Sequence, residues 1–293
     1  MSKLCLGTVQ LGMQYGVNNE LGRQPTKEEC FSILRAAKEG GIDFLDTASV
    51  YGEAETLLGH FGVEQAGFHV ISKLHPWGQQ ETDKEAVLLE VDASLQRLKI
   101  KQLYGYMLHR AEDMNHEVVV QGMVTAKKEG LVKHIGVSVY EPEEALRVVQ
   151  SGIWDMIQIP YNVLDQRLDE TDFFELAKKN HVKVFARSAF LQGLLLMAPE
   201  QLPPHLQKAG LYVEKFRQIV ANNHYATEEG AMLYSYCHPG IDYVVFGVDT
   251  EAQLIKNIEI CEKAERFNAC WKELHGAFVN VPREIVVPSL WRQ

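Results

Sequence analysis

Short apolar runs alternate with longer amphipathic runs from one end of the chain to the other. The apolar runs predict strands over Leu4–Thr8, Asp43–Asp46, His69–Lys73, Leu103–His109, Ile135–Ser138, Met156–Pro160, Lys183–Arg187 and Tyr243–Phe246. They suit buried strands and are too short for helices. Between them, polar and apolar positions take helical spacing. The first helix is expected over Thr26–Glu39. Thr26 and Glu29 form a capping-box pattern after Pro25, and Gly40-Gly41 is a normal exit. A second is expected over Thr82–Leu98, with Ala86, Leu89, Ala93 and Leu95 or Gln96 on one face. Glu143–Gln150, Asp172–Asn180, Glu228–Tyr236 and Thr250–Lys263 complete the set. An extra helix, Leu211–Ala221, falls in the long gap before Tyr243, which also holds Pro199, Pro203 and Pro204. The tail after Phe278 has two prolines and little period, and is expected to cross the surface or cover one mouth of the fold.

Strand–helix alternation without a long linker implies parallel β-α-β units. Eight strands predict a (β/α)8 barrel, one domain spanning residues 1–293. The structural alternative is a doubly wound open sheet. It would normally carry G-x-G-x-x-G after the first strand, but Gly7-Thr8-Val9-Gln10-Leu11-Gly12 lacks the middle glycine. A length of 293 residues could hold two average domains, yet α/β barrels routinely use it as one.

Composition mainly excludes. A net charge of −10 argues against nucleic acid or an anionic membrane as partner, since both select basic surfaces. Five cysteines, an odd number without C-x-x-C, argue against a disulfide framework and for a reducing, cytoplasmic location. No signal peptide and no membrane span are expected. The histidines carry no metal-ligand spacing, so no metal is expected either.

In a parallel barrel the active site gathers at the C-terminal ends of the strands. Those ends are polar: Asp46, Lys73, His109, Ser138 and Arg187, with Gln158 inside the sixth strand. Taken singly, each has a plain structural explanation as a turn cap, a solvated strand end or a satisfied barrel histidine. Together they make chemical sense. A buried lysine is costly unless paired, and Asp46 lies one strand away. Tyr51 follows Asp46 by five residues in Asp46-Thr47-Ala48-Ser49-Val50-Tyr51-Gly52, near enough to return its hydroxyl over the same mouth. An ammonium beside a phenol lowers its pKa, fitting it to exchange a proton near neutrality. His109 can hydrogen-bond a substrate oxygen from the other side. This is a proton-transfer site around one oxygen, without a Ser-His-Asp arrangement.

The run from Gly41 to Gly52, with Ser72-Lys73, Leu108-His109-Arg110, Ile135-Gly136-Val137-Ser138 and Gln158-Ile159-Pro160-Tyr161-Asn162 following in order, resembles the aldo-keto reductase family, in particular its bacterial members. Gly193-Leu194-Leu195 and Phe246-Gly247 to Asn257 resemble it too, so the likeness runs from Gly7 to about Asn257. The resemblance implies an NAD(P)-dependent oxidoreductase reducing an aldehyde, ketone or sugar carbonyl by direct hydride transfer. It implies Tyr51 as general acid, Lys73 tuning it, Asp46 pairing with Lys73, and His109 orienting the carbonyl. It places Ser138 and Gln158 at the nicotinamide carboxamide, Gly7 and Thr8 near the nicotinamide, and Ser188, Phe190 and Gln192 along the pyrophosphate. Gly247, Gln253 and Asn257 fall around the adenosine end.

Three positions depart from the family pattern. Val139 replaces an asparagine that contacts the carboxamide. Arg187 replaces an aromatic ring stacked on the nicotinamide, where a planar guanidinium can also stack. Asp249 stands close to where many members of the family carry a basic residue for the 2′-phosphate of NADPH. It either repels that phosphate and accepts a ribose hydroxyl, or belongs to the N-cap of the last predicted helix. The cofactor is therefore written as NADP or NAD, with a lean away from strict NADPH use. Trp77 and Tyr15 could each line the pocket or pack on the rim. Two other functions stay open: a nucleotide-binding regulatory or partner barrel with little turnover, and an NAD-dependent alcohol or lactol dehydrogenase.

Overall fold

The computed structural model describes residues 2–16, 19, 21–78 and 83–291. Eight parallel strands close into a barrel in chain order: β1 (Leu4–Gly7), β2 (Phe44–Asp46), β3 (His69–Leu74), β4 (Leu103–Leu108), β5 (Val132–Ser138), β6 (Met156–Pro160), β7 (Lys183–Arg187) and β8 (Tyr243–Phe246). β1 pairs with both β2 and β8, which closes the ring. The predicted (β/α)8 architecture is present, and the open sheet is excluded.

Helices α1 (Lys27–Glu39), α2 (Ala54–Phe61), α3 (Lys84–Leu98), α4 (Glu117–Lys128), α5 (Pro142–Gln150) and α6 (Phe173–Lys179) follow the first six strands in turn. α7 (Gly210–Asn222) and α8 (Thr227–Tyr236) lie between β7 and β8, and α9 (Glu251–Cys261) and α10 (Asn268–His275) follow β8. Among the described residues no helix is long and apolar enough to cross a membrane.

Local chemistry explains several boundaries. Thr26 caps α1 through the predicted box: its hydroxyl accepts Glu29 N, and Glu29 Oε2 accepts Thr26 N. α3 begins on Asp83, whose carboxylate accepts Ala86 N at 2.9 Å. The predicted start at Thr82 lies outside the described residues. The predicted face of α3 was wrong. Val87, Val91, Ser94, Leu95 and Leu98 are buried, whereas Leu89 is 69% exposed. The buried set keeps i, i+4, i+7, i+8, i+11 spacing; Ala86, Leu89 and Ala93 are spaced as regularly but lie on a more exposed side of the helix.

Inside the barrel one layer of side chains comes from alternate residues: Cys5, Phe44, Ile71, Met107, Met156, Phe185 and Val245. Met156 fills the space beside two glycines. A Cβ on Gly105 would stand 2.8 Å from its sulfur, and one on Gly136 would stand 2.5 Å from its carbonyl oxygen. Strand side chains alternate, so the residue two positions on points to the same side. Those residues are Gly7, Asp46, Lys73, His109, Gln158, Arg187 and Gly247, and in β5 Ser138 stands two beyond Gly136. The functional ring is thus the next layer of the core pattern, carried up to the C-terminal mouth. Its immediate neighbours turn outward. Ser72, for example, donates to the buried Glu55 of α2, which also accepts Arg97 Nε at 2.7 Å.

The tail does cross the surface. Ile285, Val286 and Val287 are buried, and Arg283 donates to Glu141, just before α5. Glu141 also holds Arg167, so the tail is anchored beside the catalytic rim.

Candidate active site

A cavity of about 700 Å³ opens at the C-terminal mouth. Fifteen of the sixteen residues singled out from the sequence line it. The sixteenth, Lys73, lies beneath, 1% exposed. Lys73 Nζ donates to both Asp46 oxygens at 2.7 Å and to the Thr47 carbonyl at 2.9 Å. Burial works against the ammonium. The Asp46 carboxylate and the Tyr51 phenol outweigh it and hold the Lys73 pKa above its ordinary value. Gln158 Nε2 completes the cluster with a 2.7 Å bond to Asp46 Oδ1. Thr8 binds the Asp46 carbonyl through both its backbone N–H and its hydroxyl.

Two glycines place Tyr51. A helical turn over Val9–Gly12 lies so close under the Tyr51 loop that a Cβ on Gly12 would overlap the Tyr51 carbonyl oxygen, 1.8 Å away. Gly52 turns the chain with φ +53°, its own Cβ position 2.3 Å from the Gly12 carbonyl. Glu53 N then donates to that carbonyl at 3.3 Å. The Tyr51 ring centroid lies 5.1 Å from Lys73 Nζ, and the ring stands edge-on to His109, centroids 5.8 Å apart.

The sequence led to the expectation of a lowered phenol pKa. Here burial pushes Tyr51 up from its ordinary value, and Lys73 pulls it only part of the way back. Desolvation of a nearly buried phenol exceeds one ammonium's attraction. His109 is pushed down to about 3 by burial and by the neighbouring cations, Lys73 first among them, so its imidazole is neutral. Its Nδ1 is buried without a partner among the described residues.

The cavity is also walled by Gly247, Asp249, Gln253, Lys256 and Asn257 on one side and by the loop after β7 on the other. Ser188, Leu191 and Gln192 in that loop take φ of +68°, +47° and +53°. Each such residue stores roughly 1–3 kcal/mol of strain, a cost typical of ligand-binding loops. Gln192 Nε2 reaches across to the Tyr15 hydroxyl at 2.9 Å, so Tyr15 belongs to the cavity wall. Trp77 does not line it. Trp77 stacks beside His75 at 5.0 Å on the rim.

The departing positions have clear geometry. Arg187 lays its guanidinium on the Tyr140 ring, 4.2 Å from the centroid. It donates through Nη2 to the Val139 carbonyl at 3.0 Å and through Nη1 to Ser188 Oγ at 3.3 Å. The Val139 side chain is buried. Asp249 does not cap α9; Thr250 does, accepting Gln253 N at 3.2 Å. The Asp249 carboxylate accepts Asn19 Nδ2 at 3.3 Å, and its N–H is held by Gln253 Oε1 at 2.8 Å. Tyr140 and Gln10 were missed in the sequence. Tyr140 lies two residues beyond Ser138, so the alternation that singled out Ser138 could have found it. Gln10 had no signal beyond its place after Thr8.

The sequence model of the Aldo/keto reductase family matches residues 3–273. This chain belongs to that family. Aldo-keto reductases are NAD(P)-dependent oxidoreductases acting on small carbonyl compounds, so this barrel is an enzyme of that class. The match does not favour a regulatory barrel without turnover. Among its relatives, the chain is 25% identical to the uncharacterized oxidoreductase YqkF of Bacillus subtilis over 88% of this chain and 87% of that one. It is 28% identical to the NADH-specific methylglyoxal reductase of Escherichia coli over 67% of this chain and 65% of that protein. In fold it is similar to the holo form of aldo-keto reductase AKR11C1 from Bacillus halodurans. The TM-score is 0.74 at 21% identity, over 93% of this chain and 91% of the other.

Proposed function

We propose that Tyr51, Lys73, Asp46 and His109 carry the carbonyl reduction, within a single barrel domain spanning the chain. The observation behind this reading is the buried Lys73–Asp46 pair set under a phenol and a neutral imidazole that flank one cavity. When bound, the nicotinamide supplies hydride to the carbonyl carbon. Tyr51 stays protonated at neutral pH and gives its proton to the carbonyl oxygen. Lys73 stabilises the phenolate that remains, and Asp46 keeps Lys73 charged and in place. His109, neutral, orients the same oxygen. An Nδ1–H would have no acceptor, so the tautomer with the proton on Nε2 fits best.

The residues present suit a dinucleotide. The cavity volume lies in the range of cofactor sites, roughly 300–1,000 Å³. Gln10 Oε1, in its lining, is a buried acceptor without a partner among the described residues. Gly7, Thr8, Ser138 and Gln158 would hold the nicotinamide end, Ser188, Phe190 and Gln192 the phosphates, and Gly247, Gln253 and Asn257 the adenosine.

Asp249 favours NADH over NADPH, because a carboxylate 7% exposed in the cavity wall repels a 2′-phosphate. The E. coli relative, by its name NADH-specific, agrees. The expected outcome is tighter binding of NADH than of NADPH, with Asp249→Arg shifting the ratio toward NADPH by about tenfold. Tighter NADPH binding by the unaltered protein overturns this assignment.

The mechanism is tested by Tyr51→Phe, assayed with methylglyoxal and a panel of aldehydes. Turnover should fall by roughly 10²-fold or more, the usual worth of a positioned acid, while NADH still binds. Full activity in that variant sinks the mechanism.

A further inference from the structure

The charges at the catalytic end do not cancel. Lys73 and Asp46 neutralise each other at 2.7 Å. Tyr51 and His109 are both uncharged at neutral pH. Arg187 remains. Among the described residues no carboxylate comes within ion-pair distance, 4.0 Å, of its guanidinium. Asp165, whose carboxyl feels its charge, is already bound by Arg167 at 2.7 Å. The described partners of Arg187 are neutral: the Tyr140 face, the Val139 carbonyl and the Ser188 hydroxyl. They bind it on three sides, so it cannot swing away. Its charge is felt at Tyr51, His109 and Tyr15, which together border the reacting end of the cavity.

That position matters because the reaction moves charge. Two electrons leave with hydride for the carbonyl carbon, and the proton on Tyr51 goes to the carbonyl oxygen. The nicotinamide ring, neutral when reduced, carries a positive charge afterwards. It must lie within bonding reach of a carbonyl held between Tyr51 and His109, inside the field of Arg187. Two like charges in a cavity of low dielectric repel strongly.

We infer that Arg187, fixed by Tyr140 and the Val139 carbonyl, discriminates between the two oxidation states of the nicotinamide, favouring the neutral reduced ring and expelling the oxidised cation. This rests on the reductase reading above. The backbone oxygen of residue 139 holds the cation, and Tyr140 supplies the face on which it lies.

The test is equilibrium titration of NADH and NAD⁺, without substrate, against the unaltered protein, Arg187→Gln, Arg187→Met and Arg187→Lys. The unaltered protein should bind NADH at least tenfold more tightly than NAD⁺. Each neutral variant should narrow that ratio fivefold or more, mainly through tighter NAD⁺ binding, and Arg187→Lys should keep most of it. Two neutral replacements are used so that one folded variant suffices. A ratio in either folded neutral variant within twofold of the original overturns the inference. Failure of the unaltered protein to bind either form, or to reduce any aldehyde, instead overturns the reductase reading.

Discussion

His109 illustrates how one buried side chain can set both chemistry and stability. Its imidazole titrates near 6.5 when unfolded but near 3 when folded, because burial and neighbouring cations disfavour the charged form. Between those values the unfolded chain binds a proton that the folded chain refuses. Stability from this group is therefore complete above about pH 6.5 and is lost progressively as the pH falls toward 3. The urea midpoint should fall less steeply in His109→Gln than in the unaltered protein between pH 7 and pH 4.5. Parallel profiles would mean that His109 is not buried neutral. In the proposed mechanism, the same low pKa lets His109 orient an oxygen without competing to protonate it. The Tyr51 result teaches the complementary lesson. Sequence places an ammonium beside a phenol, but only burial decides the sign of the net shift.

At the scale of elements, the strands were more legible than the helices. β6, β7 and β8 have the predicted bounds, and the others differ by one to three residues at one end. Three of these helices were not anticipated: α2, α4 and the eight-residue α10. α4 begins Glu117-Val118-Val119-Val120, a β-branched run that suits strands by propensity. It is helical because Val119, Met123 and Ala126 form a buried stripe against its neighbours. α2 is eight residues long, too brief for its period to stand out. The polar ring was legible for the opposite reason: Asp46, Lys73, His109, Ser138 and Arg187 each end an apolar run, and Gln158 interrupts one. Tyr140, two residues past the strand, ends no apolar run and could be found only by extending the alternation beyond Ser138. The core layer yields a sharp expectation. In Gly136→Ala the new methyl would face the Met156 carbonyl oxygen and Cγ, both at 2.5 Å. Overpacking of this kind costs roughly 1–3 kcal/mol, read as a lower urea midpoint with an unchanged slope. An unchanged midpoint would mean that the interior has slack there.

Over the whole molecule, the net negative charge contrasts with an arginine that, among the described residues, has no carboxylate partner at one end of the pocket. The chain carries a net charge of −10, yet the catalytic end of its cavity holds an unbalanced arginine. Such a cation stays because its contacts come from two separate strand ends and their loops, β5 and β7, rather than from one flexible segment. The layering beneath it has a historical consequence. The ring proposed to do chemistry is offset by two residues from the ring that fills the barrel in seven of the eight strands. An upper-ring substitution can change specificity while the plug below keeps the fold intact, so divergence among such enzymes can proceed by single exchanges. Inserting or deleting one residue inside a strand instead rotates both rings at once, losing packing and chemistry together. Changes of length should therefore have accumulated in the loops, and the strands should have kept their reading frame.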